Sequence, residues 1–160
     1  MAELCLPSHN PAMTSGQTTS KLRRFLRLEG EDKRLLLSAI SWLLIARIQL
    51  VVTPFDQLAN RLSSETVGSD KVPDPQWLQR IGFAIRAAAN NVPWRSDCFP
   101  QAIAARAMLK RGGYASTIHL GVEKAGEDKI AGHAWLTCGE TLVTGGEEAG
   151  RYAEIHRLGE

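Results

Sequence analysis

The runs DCFPQAIAARAMLKRGG at residues 97–113, STIHLGV at 116–122 and IAGHAWLTC at 130–138 decide the fold, because the apolar period changes between them. In the first run Ala102, Ala105 and Leu109 share one helical stripe with Cys98, which predicts a helix over 97–110. Pro100 is tolerated there, since first-turn amides have no helical partner. Asp97 stands where its carboxylate can cap that turn, and Gly112-Gly113 ends the helix. The period then drops to two. Residues 116–122 put Ile118, Leu120 and Val122 on one face, and 130–138 put His133 and Trp135 on one face. Gly126-Glu127-Asp128 reads as the turn between these strands. Cys138-Gly139-Glu140 reads as a tight turn into a strand at 141–144, which Gly145-Gly146 ends.

Upstream of the cysteine the pattern is helical throughout. Residues 31–51 predict a long helix ended by Thr53-Pro54. It is apolar all round, so cover on every side is expected. The stretch 35–52 is barely long enough to span a bilayer, and Arg47, Gln49, Ser38 and Ser41 interrupt it, so a buried helix is expected and no membrane span. Residues 20–28 are expected to form a short basic helix and 55–62 another short helical stretch, and 63–75 reads as a polar loop. Asp74-Pro75 opens a helix with Leu78, Ile81, Ile85 and Ala88 at helical spacing, ending at Asn90-Asn91-Val92-Pro93. Residues 1–19 are rich in small polar residues and are expected to be disordered. Residues 147–160 are expected to be a polar tail in which Tyr152, Ile155 and Leu158 are the few anchors. The result is an α+β domain over 20–160: a helical N-terminal layer at 20–90 and an antiparallel sheet within a core at 91–146.

Composition sets broad bounds. The chain has 160 residues, of which 44% are hydrophobic and 22% charged, with a net charge of +2, as in an ordinary soluble domain. Residues 21–61 hold eight Lys/Arg against four Asp/Glu, and 127–160 hold seven acidic against three basic. These are two solvated faces, or a basic surface for an acidic peptide. Cys5, Cys98 and Cys138 form no Cys-x-x-Cys pair, so neither a zinc site nor a disulfide framework is indicated. A reducing, cytoplasmic setting fits, and residues 1–20 lack the pattern of a signal peptide. Gly145-Gly146 lacks the lysine of a phosphate loop. The basic run 21–27 lacks the aromatic interleaving of a nucleic-acid surface, so no nucleic-acid partner is expected.

Chemistry concentrates on Cys98 and His133. A free thiol ionises near pH 8.5, and a helix N-terminus or a nearby imidazolium lowers that value. The same first-turn amides can hold an oxyanion in acyl transfer. A strand packed on that helix can bring His133 to the sulfur, with Gly132 and Ala134 small enough not to crowd it. Taken singly, a buried Cys is usually a small hydrophobe and a strand His a core or surface residue; position, order and the Gly-His-Ala-Trp context favour catalysis. Neither a metal nor an organic cofactor is needed. Gln101 supports an oxyanion or is helix filler, and Trp94 lines the cleft or the core. Asp97 is read as a cap, His119 as exposed, Cys138 as structural, and His9 and His156 as residues of loose ends.

The set of motifs resembles the small transglutaminase-like leader peptidases of lasso peptide biosynthesis. It comprises the apolar helix 34–50 with Thr53-Pro54-Phe55, the 77–88 helix, Val92-Pro93, Cys98 with Gln101-Ala102, Met108-Leu109-Lys110-Arg111-Gly112, Leu120-Gly121-Val122 and Gly132-His133-Ala134-Trp135-Leu136. The resemblance covers residues 20–146. It implies a papain/transglutaminase-like core and a cysteine endopeptidase that removes the leader from a ribosomally made precursor peptide. It also implies a small leader-binding protein and an asparagine-synthetase-like cyclase as partners. Cys98 matches the nucleophile and His133 the general base. The family pattern expects an Asp about a dozen residues beyond the histidine, to orient the imidazole. Thr144, Gly145 and Gly146 stand there instead, leaving the Thr144 hydroxyl, Glu147 or a backbone carbonyl for that task. Another acyl transferase and a non-catalytic binding subunit stay open.

Overall fold

The long apolar run folds as helix α1, Gly30–Val52, in a computed structural model that describes residues 29–64, 73–124 and 130–159. The expected disorder of 1–19, the 20–28 helix and the turn at 126–128 lie outside the described residues. Glu31 and Asp32 in the first turn of α1 suit the helix dipole. Both carboxylates accept from Arg80, at 2.8 and 2.6 Å, which ties α1 to the third helix. Helix α2 spans Phe55–Ser64, α3 spans Pro75–Ala89 and α4 spans Cys98–Arg111. The start of α3 is as expected, with the Asp74 carboxylate accepting from the Gln76 amide at 3.0 Å ahead of a first-turn proline.

The cover expected around α1 is not there. Ala39, Leu43 and Ala46 are buried, while the opposite side exposes Leu37 (54%), Ile48 (51%), Val51 (68%) and Val52 (69%) together with Leu44 and Ile45. The reason is the layering: α3 and α4 pack on α1 from one side. By length and composition α1 could also cross a bilayer.

Strands β1 (Thr117–Lys124), β2 (Ile130–Cys138), β3 (Thr141–Thr144) and β4 (Ala153–Leu158) form one antiparallel sheet in the order β3-β2-β1-β4. The expected polar tail is therefore wrong. It holds a one-turn helix, α5 (Gly146–Ala149), and an edge strand that carries His156 opposite Leu120. Leu158 is the one buried residue of β4, so that strand lacks an apolar alternation to read.

The α+β architecture is held by the contact of α4 with the sheet. Ala102, Ala104, Ala105 and Leu109 have no exposure and meet Ile118, Ala134, Leu136 and Leu158 in one core. Small side chains on the helix let its backbone come close to the strands. Within that helix sits a charge that the sequence reading passed over. Arg106 is buried and donates to the carbonyls of Leu158 (2.6 Å) and Leu62 (2.7 Å), joining α4, the end of β4 and the end of α2. Arg106→Met keeps much of the volume and strands two carbonyls, so it is expected to lower unfolding free energy by about 2–4 kcal/mol. Urea denaturation checks this; a loss under about 1 kcal/mol would show that water satisfies those carbonyls as well.

Candidate active site

Cys98 is the first residue of α4, half-buried and packed against the core. Asp97 occupies the cap position in extended backbone, but its carboxylate makes no capping bond. It pairs instead with Arg95 at 3.0 Å, which corrects the expected side-chain cap. The Gln101 side-chain amide donates to the Ser96 carbonyl at 2.8 Å, so it braces the approach to the cysteine and is not aimed at an oxyanion. The Trp94 indole N–H and the Ser96 hydroxyl, just before Cys98, are buried with no hydrogen-bond partner among the described residues. Phe99 is buried beside Phe55, ring centroids 5.8 Å apart, so the Thr53-Pro54-Phe55 corner stands next to the start of α4.

His133 lies in β2 opposite Gly121 and is 7% exposed. Its Nε2 is 2.7 Å from the carbonyl oxygen of Gly145. A carbonyl only accepts, so Nε2 carries a proton; in the neutral ring Nδ1 then holds the basic lone pair. Of the groups weighed for orienting the ring, the backbone carbonyl of Gly145 is seen to accept from it among the described residues. The Thr144 hydroxyl is buried and has no partner among the described residues, and the Glu147 side chain lies outside the described set. Gly145 has φ of +73°, and a Cβ there would sit 2.5 Å from the Ala134 carbonyl oxygen, so glycine is required where the accepting carbonyl is presented.

Aromatic rings flank the imidazole. Tyr152 stacks on it at 4.8 Å and Trp135 lies at 6.1 Å. Gly121 makes room, because a Cβ there would lie 2.8 Å from the Trp135 ring and 2.9 Å from Tyr152 Cβ. The expected exposure of His119 is overturned. Its side chain is 12% exposed, stacks on Trp135 at 5.4 Å, and contacts Thr137 Oγ1 (2.8 Å) and Glu154 (3.1 Å). The cover comes from Trp135 and from Glu154 of β4, a strand that no sequence period announced. The Arg157 guanidinium holds the Glu154 carboxyl below the usual carboxylate range, against the opposing effect of burial, and the bond from His119 adds to it.

Cys138 is the structural cysteine. It is buried, its thiol bonds to the Ala115 carbonyl at 3.1 Å, and burial pushes that thiol up. Among the described residues no group of three His, Cys, Asp or Glu is placed to hold a metal.

The elements that carry Cys98 and His133 are packed together. The C-terminal end of α4 meets the end of β2, because Leu109 accepts from the Tyr114 amide and the next residue, Ala115, bonds to Cys138. From there, Leu109 back to Cys98 spans about 16 Å of helix, and Cys138 back to His133 spans about 16 Å of strand. His133 alternates with the core-facing Ala134 and Leu136, and its bond to Gly145 directs the ring toward the β3 edge, on which α3 and α4 pack.

The model of the transglutaminase-like superfamily matches residues 40–157, and the chain belongs to that superfamily. No curated protein and no solved structure matches it. Membership is compatible with cysteine protease or acyltransferase chemistry. Iodoacetamide at neutral pH is expected to modify Cys98 at least about ten-fold faster than Cys138, which is buried and kept protonated. Peptide mapping by mass spectrometry reads both rates, and equal rates would deny Cys98 any activation.

Proposed function

We propose, from membership of this superfamily, that the protein is a cysteine endopeptidase that removes the leader from a lasso precursor peptide, with Cys98 as nucleophile and His133 as general base. The observation that carries the reading is the Gly145 carbonyl on His133 Nε2, which leaves Nδ1 as the basic nitrogen. His133 Nδ1 takes the thiol proton, and the sulfur attacks the scissile carbonyl carbon. The C–N bond breaks as Nδ1 returns that proton to the leaving amine, giving a thioester on Cys98. Water, deprotonated by the same nitrogen, then cleaves the thioester and restores the thiol. First-turn amides of α4 supply donors for the oxyanion.

The resemblance noted above supports the choice of substrate, and with it a small leader-binding protein as partner, an asparagine-synthetase-like cyclase as the next enzyme, and a cytoplasmic setting. A carboxylate is missing from 144–146, which also favours a second reading, a binding subunit of the same machinery.

Incubation of a lasso precursor with this protein and a leader-binding protein is expected to release the leader, read by mass spectrometry. Cys98→Ala and His133→Ala should each abolish cleavage while partner binding persists. Continued cleavage by Cys98→Ala would end the enzymatic reading, and intact binding without any cleavage by the native chain would select the binding subunit. Gly145→Ala must move the accepting carbonyl, so kcat is expected to fall by about 10²-fold with little change in KM.

A further inference from the structure

The exposed stripe of α1 is continuous with a cavity of about 440 Å³ between α1, α2 and α4. Trp42, Ile45, Leu58 and Ile103 form its apolar floor, and Arg61, Lys110 and Arg111 stand on its rim. Among the described residues no carboxylate lines it. On one side Ile45 joins it to Leu44, Ile48 and Val52, so an apolar strip about 12 Å long borders a cationic edge. We propose that this groove is the docking site for an acidic amphipathic helix of a partner protein, its apolar side on α1 and its carboxylates facing Arg61, Lys110 and Arg111.

Charge argues for an occupant from outside the chain. The nearest apolar segment of its own sequence, residues 21–28, carries Lys21, Arg23, Arg24 and Arg27, the same sign as the rim. A lipid surface would also suit the stripe, but it would leave the enclosed floor of Leu58 and Ile103 beside α2 unfilled. The proposal deepens the partner half of the reading above and rests on it only for the partner's role.

The test uses the full chain carrying Cys98→Ala and fluorescence anisotropy of a labelled amphipathic peptide of about 15 residues built from Leu and Glu, beside a Leu and Lys counterpart. The acidic peptide is expected to bind at least about ten-fold tighter than the basic one, and more weakly as salt rises. Arg111→Glu and Ile45→Asp, both at exposed positions, should each weaken it about five-fold or more with unchanged circular dichroism. Equal binding of the two peptides, or indifference to Ile45→Asp, would overturn the proposal. Partition of the protein onto neutral phosphatidylcholine vesicles without peptide binding would overturn it in favour of a lipid surface. Because the nucleophile is absent from the tested protein, failure here leaves the peptidase reading intact, and failure of cleavage leaves the groove intact.

Discussion

The register of β2 under the alanine face of α4 is the constraint on which the site depends. Ala134 and Leu136 are fully buried against a helix whose Ala102, Ala104 and Ala105 bring its backbone close. A slip of one residue would turn Leu136 outward, at about 1.5–3 kcal/mol for that side chain alone, and drive the His133 imidazole into an apolar layer. The packing that makes the core therefore also sets where the imidazole emerges. The same contact sets the height of Cys98, since α4 is anchored at its far end through Tyr114, Ala115 and Cys138.

A carbonyl in place of a carboxylate changes the chemistry in a definable way. Both accept the Nε2 proton and fix the same tautomer. Only the carboxylate brings a full charge to steady an imidazolium, which a peptide dipole does in part and more effectively when buried. His133 compensates in rigidity. It is held by Gly145, by the stacked Tyr152 and by Trp135, which His119 backs from its other side. Such an imidazole keeps its orientation.

Much of this was legible in the residues. Cys98 at a helix start, the strands from 117 to 144 and the helices from 30 to 111 follow from period, proline and glycine. What was missed has common physical causes. β4 is an edge strand with Leu158 as its one buried residue, so it lacks alternation. Without β4 in view, His119 reads as exposed and Tyr152 as a lone anchor, although His119 stacks on Trp135 and Tyr152 on His133. Arg106 reads as a helix surface residue until the ends of α2 and β4 are known to meet over it. Asp97 had two available partners, the turn amides and Arg95, and spacing does not say which wins.

The all-round apolarity of α1 shows a further limit of period. Leu37, Leu44, Ile48 and Val51 lie across the helix from Ala39, Leu43 and Ala46, so two opposed apolar stripes sum to no net direction. Such a pattern cannot distinguish a helix buried on both sides from one that keeps a side for something else. Here the groove that borders the second side at Ile45 is also lined by α4, the helix that begins at Cys98. The helix carries Cys98 at one end and Lys110 and Arg111 at the other, about 20 Å apart. A partner held at the cationic end would deliver a tethered peptide to the sulfur as an intramolecular event, at an effective concentration set by the tether. Under that proposal the distant end of the same helix would supply selectivity that the site itself need not provide.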